Sequence, residues 1–286
     1  MEQPAADSTA VPITRGAPPW WIWTPFALMI LVYLPTLRDL VLDWYQDGNY
    51  SHGFLIPLIS AYFLWHKRQS LAAIPKRVDR VGLILVIAAM ALFVVANAGA
   101  EYFTLRLSFI LTLLGLVFYV FGRSVVRLAW FEIGLLVFMI PIPYVVYYAA
   151  TFPLQLLVSK VTASLLALLG ADVVRQGNII HLAGVSLEVA EACSGMRSLM
   201  TLLALGAIYA QVSQTRSAAK VILFLSSIPI AIAANVARVL ATSLLAYAVG
   251  GEVTQEPLHT IMGLLVFVVA FVALTLTALV LRRIWR

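Results

Sequence analysis

Long apolar stretches alternate with short polar ones along nearly the whole chain. They cover residues 20–37, 54–65, 81–98, 107–122, 128–146, 196–212, 221–249 and 258–281. A helix needs about 20 apolar residues to cross the hydrocarbon core of a bilayer, and most of these stretches approach or exceed that length. The pattern therefore predicts an all-α polytopic membrane protein with about eight transmembrane helices, in one transmembrane domain over residues 20–286.

Polar side chains at helical spacing set residues 152–169 apart from the other apolar stretches. Gln155, Ser159 and Lys160 fall close together on one side of a helix. We expect an interfacial helix, which lies on the outer membrane surface or re-enters it. The alternative is a true span whose polar stripe packs against other helices.

Apolar residues alternate with other residues between positions 178 and 190. A period of two predicts a short β-hairpin, which would turn at residues 183–184. Because unpaired strand backbone cannot face lipid, the hairpin should lie on the outer membrane surface. The apolar positions are Ile180, Leu182, Val185, Leu187 and Val189.

Composition excludes several classes of protein. Hydrophobic residues make up 62% of the chain and charged residues only 11%, unlike a soluble domain with a wet exterior. The net charge of +6 comes from small basic groups between apolar stretches, as in membrane loops, so we expect membrane lipid as a partner and no nucleic acid. The chain has one cysteine, which excludes an intrachain disulfide and a CxxC metal or redox site.

The basic loops predict the orientation in the membrane. Residues 65–80 form the densest basic loop, which the positive-inside rule assigns to the cytoplasm. Counting crossings from there puts both termini in the cytoplasm and the acidic loops outside. The first 19 residues lack the basic region and short apolar core of a cleavable signal peptide, so we expect a disordered cytoplasmic tail followed by an uncleaved anchor.

The first candidate for chemistry is Cys193, in the motif Glu-Ala-Cys-Ser-Gly-Met-Arg at residues 191–197. It lies where the chain leaves the hairpin and enters the next apolar stretch, and a helix N-terminus there would favour a thiolate. Ser194 and the following glycine suit a helix start, and Arg197 would favour the thiolate further, whereas Glu191 would oppose it. A buried structural cysteine is the alternative.

The second candidate is the pair Asn235 and Arg238, which share one face of a long apolar stretch. An arginine inside hydrocarbon is costly, so it is a functional hypothesis by default. The alternatives are an arginine that snorkels to the outer headgroups, or one that pairs with Glu188 or Glu191.

The histidines complete the set of candidates. His259 heads the last apolar stretch, and imidazole is the usual general acid or base near neutral pH, although a cap or interfacial role is the alternative. His52, in Tyr-Ser-His-Gly at residues 50–53, also lies at a predicted outer helix end, where it would contact substrate or support the site. His66 and His181 are expected to be structural.

These motifs together resemble the exosortase/archaeosortase family, in its bacterial exosortase branch. The family's cysteine motif corresponds to Ala-Cys-Ser-Gly-Met-Arg-Ser at residues 192–198, and its arginine motif to Ala-Asn-Val-Ala-Arg-Val at residues 234–239. Its histidine corresponds to His259, and residues 50–57 and 64–68 are also similar. The resemblance covers residues 20–281, is weakest over residues 152–176, and puts the catalytic part at residues 176–265.

The resemblance implies a membrane-embedded cysteine peptidase or transpeptidase of the bacterial inner membrane, without metal or cofactor. Its substrates would be secreted proteins with a C-terminal Pro-Glu-Pro type signal, a transmembrane helix and a basic tail. They would be cleaved at the outer face and transferred to a surface acceptor, with a link to exopolysaccharide. The implied catalytic residues are Cys193, Arg238 and His259, and the implied substrate-binding or supporting residues are Arg197, Asn235, Ser194 and His52.

The main alternative function is a permease or flippase. Asn235, Arg238 and His259 would then line a polar pathway between helices. That function does not require Cys193. The sequence contains neither the HExxH motif of zinc proteases nor the GxSxG motif of serine hydrolases.

Overall fold

The computed structural model describes residues 20–182, 185–189, 196–249 and 258–285, and it omits the side chains of residues 196, 197, 249 and 258–260. Over these ranges the chain forms ten α-helices and three short strands, in two compact units, Met1–Pro143 and Tyr144–Arg286. Six helical stretches of the described residues are long and apolar enough to cross a membrane: Trp20–Gln46, Arg80–Ala98, Tyr102–Phe121, Tyr144–Leu168, Ser217–Ala248 and Ile261–Ile284. The predicted all-α polytopic fold class is confirmed.

The first unit contains six helices. They are α1 (Thr24–Gln46), α2 (Leu55–His66), α3 (Arg68–Ala73), α4 (Arg80–Ala98), α5 (Tyr102–Phe121) and α6 (Arg123–Leu135). Short 3-10 helices, Trp20–Trp23 and Ser51–Phe54, precede α1 and α2, and a third, Leu136–Met139, follows α6.

An antiparallel hairpin of α4 and α5 forms the centre of this unit. Asp79 and Glu101 cap the two helices, since their carboxylates accept hydrogen bonds from backbone N–H groups of the first turn. The backbones of the two helices are in direct contact at Gly82, where an added Cβ atom would collide with the backbone of Tyr119. Glycine here permits the close approach typical of membrane helix pairs.

Polar contacts attach α1 to this hairpin. The buried hydroxyl of Tyr33 lies 2.9 Å from Ser108 Oγ and 3.1 Å from Thr112 Oγ1. Nearer the other end, Arg106 Nη2 lies 2.6 Å from Asp43 Oδ2. Each group satisfies a partner on the neighbouring helix, as polar side chains in lipid must.

The second unit carries the remaining elements. They are α7 (Tyr144–Leu168), β1 (Val173–Gln176), β2 (Ile179–Leu182), β3 (Val185–Glu188), α8 (Met196–Ser213), α9 (Ser217–Val249) and α10 (Leu258–Ile284). The strands form an antiparallel sheet in the order β1-β2-β3, with Ile180 opposite Leu187. The predicted hairpin is confirmed as β2 and β3, and β1 is an additional strand that pairs with β2.

The helix predicted over residues 128–146 is not continuous. α6 ends at Leu135, and after one 3-10 turn the chain runs through Pro141 and Pro143 before α7 begins at Tyr144. Proline lacks the N–H that a helix requires and disfavours helical geometry in the residue before it. These two prolines therefore end the helix that the apolar pattern alone predicted to continue to residue 146, and α7 begins after them.

The residues predicted to form an interfacial helix lie inside α7. This helix has 25 residues and meets the length and apolarity of a membrane span. Gln155 and Ser159 are buried, and Ser159 Oγ donates to Gly177 O, 2.9 Å away. Two of the three polar residues thus face protein, as expected for the alternative of a true span, whereas Lys160 is exposed.

Candidate active site

Three helices of the second unit, α8, α9 and α10, share one hydrophobic core. Leu202 of α8, Leu223 of α9 and Leu274 of α10 are almost completely buried within it. The opposite face of α9 packs through Val239 on Val158 of α7 and on the sheet. Because α9 is enclosed on two sides, its polar residues are held against neighbouring helices.

A narrow cleft opens among these three helices. Its polar lining consists of Ser198 from α8 and of Asn235 and Arg238 from α9. Asn235 is only 3% exposed, so its amide lies inside the protein. The apolar lining comes from Leu202, Ala231, Ala234, Val266, Phe267 and Ala270.

The guanidinium of Arg238 lies against α10. A Cβ atom built on Gly263 would be 3.6 Å from both Cζ and Nη2 of Arg238. Gly263 is four residues after His259, and residues with that spacing share one face of a helix. The arginine therefore lies within about one helical turn of the histidine position.

α8 brings the end of the cysteine motif to the same cleft. The helix is described from Met196, and Ser198 is its first residue with a described side chain. Cys193 and Ser194 lie outside the described residues, as do the side chains of Arg197 and His259. The structure thus brings together the three helices that carry or follow the cysteine, arginine and histidine motifs.

A family model described as transmembrane exosortase matches residues 44–276. The chain belongs to the exosortase family. No curated protein and no solved structure matches it. The exosortase match contains the cleft and each of the motifs around it, so the chain is a membrane-embedded protein of a sorting-related family.

His52 of the exosortase lies in the first unit, where it contacts main chain. Its Nε2 is 3.2 Å from the carbonyl oxygen of Phe138. Next to it, a Cβ atom on Gly53 would collide with the indole of Trp44, whose Nε1 donates to Met139 O at 2.8 Å. Burial lowers the pKa of His52 below its ordinary value, against the opposing effect of its backbone hydrogen bonds. These contacts fasten the Tyr-Ser-His-Gly motif to the segment that follows α6.

His181, which lies in the sheet of the second unit, also has a local partner. His181 Nδ1 lies 2.8 Å from Ser186 Oγ on the paired strand. Across the described ranges, no three His, Cys, Asp or Glu side chains form a group that could hold a metal ion.

Two residues were not singled out from the sequence: Ser198, which lines the cleft, and Gly263, which lies against Arg238. Ser198 is the last residue of the cysteine motif, and Gly263 lies one turn after His259. A stronger signal was available for Gly263, since a small residue one turn from a candidate acid or base leaves room for a partner side chain.

Proposed function

We propose that this exosortase is a membrane-embedded cysteine peptidase/transpeptidase of the bacterial inner membrane. It cleaves C-terminal sorting signals of the Pro-Glu-Pro type from secreted proteins at the outer face, and it transfers the cleaved protein to a surface acceptor. Both termini of the enzyme are cytoplasmic in this proposal.

One observation carries the proposal: Arg238 rests on Gly263, one turn from His259, in a cleft that Ser198 also lines. Ser198 is five residues after Cys193. An extended chain spans at most about 3.6 Å per residue, so Cys193 is within about 18 Å of Ser198. This proximity supports a joint site for the three residues.

The chemistry is acyl transfer through a thioester. The Cys193 sulfur attacks the scissile carbonyl carbon, the C–N bond breaks, and His259 gives a proton to the leaving amine. His259 then takes a proton from the incoming nucleophile, which attacks the thioester and releases the Cys193 thiolate. Arg238 stabilises the negative charge on the tetrahedral oxygen.

The substrate's own transmembrane helix holds it at the enzyme. Confinement to the same bilayer raises the effective concentration of the signal, so high affinity for the peptide is unnecessary. We expect a substrate without that helix to be processed much more slowly by enzyme in bilayers. Processing of the helix-free substrate at the normal rate would contradict this part of the proposal.

Cysteine variants give the central test. Membranes that contain the wild type, Cys193→Ala or Cys193→Ser, at matched protein levels, are incubated with a secreted reporter that carries the signal, a transmembrane helix and a basic tail. Mass spectrometry follows the reporter's C-terminus. We expect no processing by Cys193→Ala and little by Cys193→Ser, because a hydroxyl is a weaker nucleophile without strong base activation.

Two controls make the test specific. Cys193 is the only thiol of the chain, so a thiol-specific alkylating agent should inactivate the wild type by modifying this residue alone. His259→Ala should slow both acylation and thioester resolution, whereas His66→Ala, which changes a histidine outside the cleft, should not. Full processing by Cys193→Ala would overturn the peptidase function and favour a permease or flippase.

A further inference from the structure

A second cleft lies at the far end of the α4–α5 hairpin, within the first unit. It has a volume of about 570 Å³ and is formed by the segment that enters α4 and the junction between α5 and α6. α4 starts and α5 ends there, because a short turn at Gly99 joins their other ends. The lining residues are Pro75, Arg77, Val78, Asp79, Arg80, Val81, Phe121, Gly122, Arg123 and Ser124.

Positive charge dominates this cleft. Arg77, Arg80 and Arg123 line it, and Lys76 lies at its edge with Nζ 5.4 Å from the ring centre of Phe121. None of these four cations is in a salt bridge with another residue of the described chain. The single acidic group among the lining residues, Asp79, accepts a hydrogen bond from Val81 N and keeps its negative charge. Three arginines against one carboxylate leave the lining with a net positive charge.

The start of α6 adds hydrogen-bond donors to the same cleft. α6 begins at Arg123 without a side-chain cap, so N–H groups of its first turn lack helical partners. Ser124, in that turn, contributes a hydroxyl. Two carbonyls at the end of α5 are already engaged, because Phe118 O accepts from Gly122 N and Tyr119 O from Asp79 N. The free groups of the cleft thus favour an anion.

Glycine fixes the shape of the cleft. Gly122 has a φ of +85°, which L side chains rarely adopt, and a Cβ atom on it would lie 2.5 Å from the carbonyl oxygen of Arg77. Only glycine therefore lets the segment before α4 approach the start of α6 this closely. The arginines from the two segments are held around one space.

The position of the cleft identifies the kind of anion. Both α4 and α5 have the length and apolarity of membrane spans, so their shared end lies where a bilayer meets water. Trp23 and Phe26 pack on Phe121 at this end, with ring centres 6.0 Å from it, and tryptophan is typical of that interface. Lipid phosphates lie at the same depth.

We propose that this cleft binds a phosphate group, and that the group belongs to the headgroup of an anionic phospholipid. Arg77 and Arg123 donate hydrogen bonds to the phosphate oxygens, and Ser124 with the first N–H groups of α6 completes the site. Arg80 and Lys76 contribute further charge at the entrance. The site shares no lining residue with the cleft of α8, α9 and α10, and it does not depend on the peptidase proposal.

Lipid retention tests the site in the full-length protein. The wild type is incorporated into nanodiscs of phosphatidylcholine with phosphatidylglycerol, and native mass spectrometry counts the phosphatidylglycerol that stays bound. The test variant is Arg77→Gln/Arg123→Gln. The matched control is Arg68→Gln/Arg127→Gln, which removes two exposed arginines, one of them on α6, that do not line the cleft.

We expect the wild type and the control to retain phosphatidylglycerol and the cleft variant to lose it, with an affinity roughly tenfold or more below that of the control. Thermal unfolding in phosphatidylcholine nanodiscs should be alike for the two variants, which excludes misfolding. Equal retention by both variants would overturn the site. A second arm adds millimolar inorganic phosphate: unchanged retention supports a lipid phosphate, whereas displacement of the lipid would overturn the lipid assignment in favour of a soluble phosphate.

Discussion

A Cβ atom on Gly263 would lie 3.6 Å from the guanidinium carbon of Arg238, so the arginine rests on the one position of α10 that presents no side chain to it. A distance of 3.6 Å is ordinary van der Waals contact. We therefore expect Gly263→Ala to process substrate nearly as well as the wild type. Gly263→Leu should displace the guanidinium and lower turnover on the order of 10²-fold, as the loss of one oxyanion donor does.

Rates of C-terminal processing at saturating substrate would measure this effect. Gly134→Leu is a suitable control, since a Cβ atom on Gly134 of α6 meets no other atom within 4 Å. Wild-type turnover in Gly263→Leu would show that the position of Arg238 is irrelevant to the reaction.

Arg238 should not be replaceable by lysine. The planar guanidinium can offer two N–H groups to one oxyanion, whereas an ammonium is a compact point charge. We expect Arg238→Lys to lower the rate of processing much more than the amount of protein in the membrane. Normal processing by this variant would remove Arg238 from the catalytic set and leave it a packing or snorkelling residue.

The sequence located the candidate residues but not their surroundings. Helical spacing places Asn235 and Arg238 on one face of α9, and the structure confirms that both line one cleft. Spacing cannot say which helix that face meets, because α9 is buried on two sides, against α8 and α10 and against α7. The partnership of Arg238 with Gly263 therefore needed the packing of the helices.

Apolar periodicity had a similar limit in the fold. It predicted helix in each long apolar stretch and found the β2–β3 hairpin from alternation alone, but it assigned the first residues of α7 to the preceding stretch. It missed β1, because Val173 and Val174 are adjacent and Arg175 and Gln176 are polar, which is not an alternating pattern. It also overlooked Glu132, a fully buried carboxylate inside α6 whose partner is distant in sequence.

Removing one partner from the buried pair of Lys67 and Glu132 should be strongly destabilising. Nζ and Oε1 are 2.7 Å apart, and the carboxylate is completely buried. Lys67→Met would leave that charge without a partner, so we expect the free energy of unfolding to fall by about 3 kcal/mol. The double variant Lys67→Met/Glu132→Leu should recover most of the loss, because it buries no charge.

Denaturant unfolding in mixed micelles would give these free energies, with Arg68→Met as the control for loss of an exposed neighbouring cation. A double variant as destabilised as the sum of Lys67→Met and Glu132→Leu, each measured alone, would mean that the pair contributes no coupling.

His52 should make the stability of the exosortase depend on pH. Burial lowers its pKa below the ordinary value of 6.5, so in mildly acidic solution the unfolded chain takes up a proton more readily than the folded one. The stability is full above pH 6.5 and should fall as the pH drops below that value. The midpoint of thermal unfolding, measured at about pH 7.5 and about pH 5.5, should fall more in the wild type than in His52→Gln. An identical fall in both proteins would exclude His52 as the cause, and His66→Gln is the control.

α7, rather than the stretch that contains α6, has the length of a membrane span, and this changes the predicted topology. α6 has 13 residues, too few for a span of about 20, whereas α7 has 25 and is apolar enough to cross. Counted from the basic loop at residues 65–80, replacing one predicted span by the next leaves the number of crossings before the sheet unchanged, so the sheet and the start of α8 stay outside. The side of the segment between α6 and α7 does change, from outside to cytoplasmic.

Alkaline phosphatase, which is active only outside the cytoplasm, should therefore be inactive when fused after Pro143 and active when fused after Gln176. Fusions after Arg80 and after Gly251 serve as references, and they should be inactive and active respectively under the positive-inside rule. An active enzyme at Pro143 together with an active one at Gln176 would return α7 to the membrane surface, and an inactive one at Gln176 would put the sheet and the cysteine motif in the cytoplasm, where secreted substrates could not reach them.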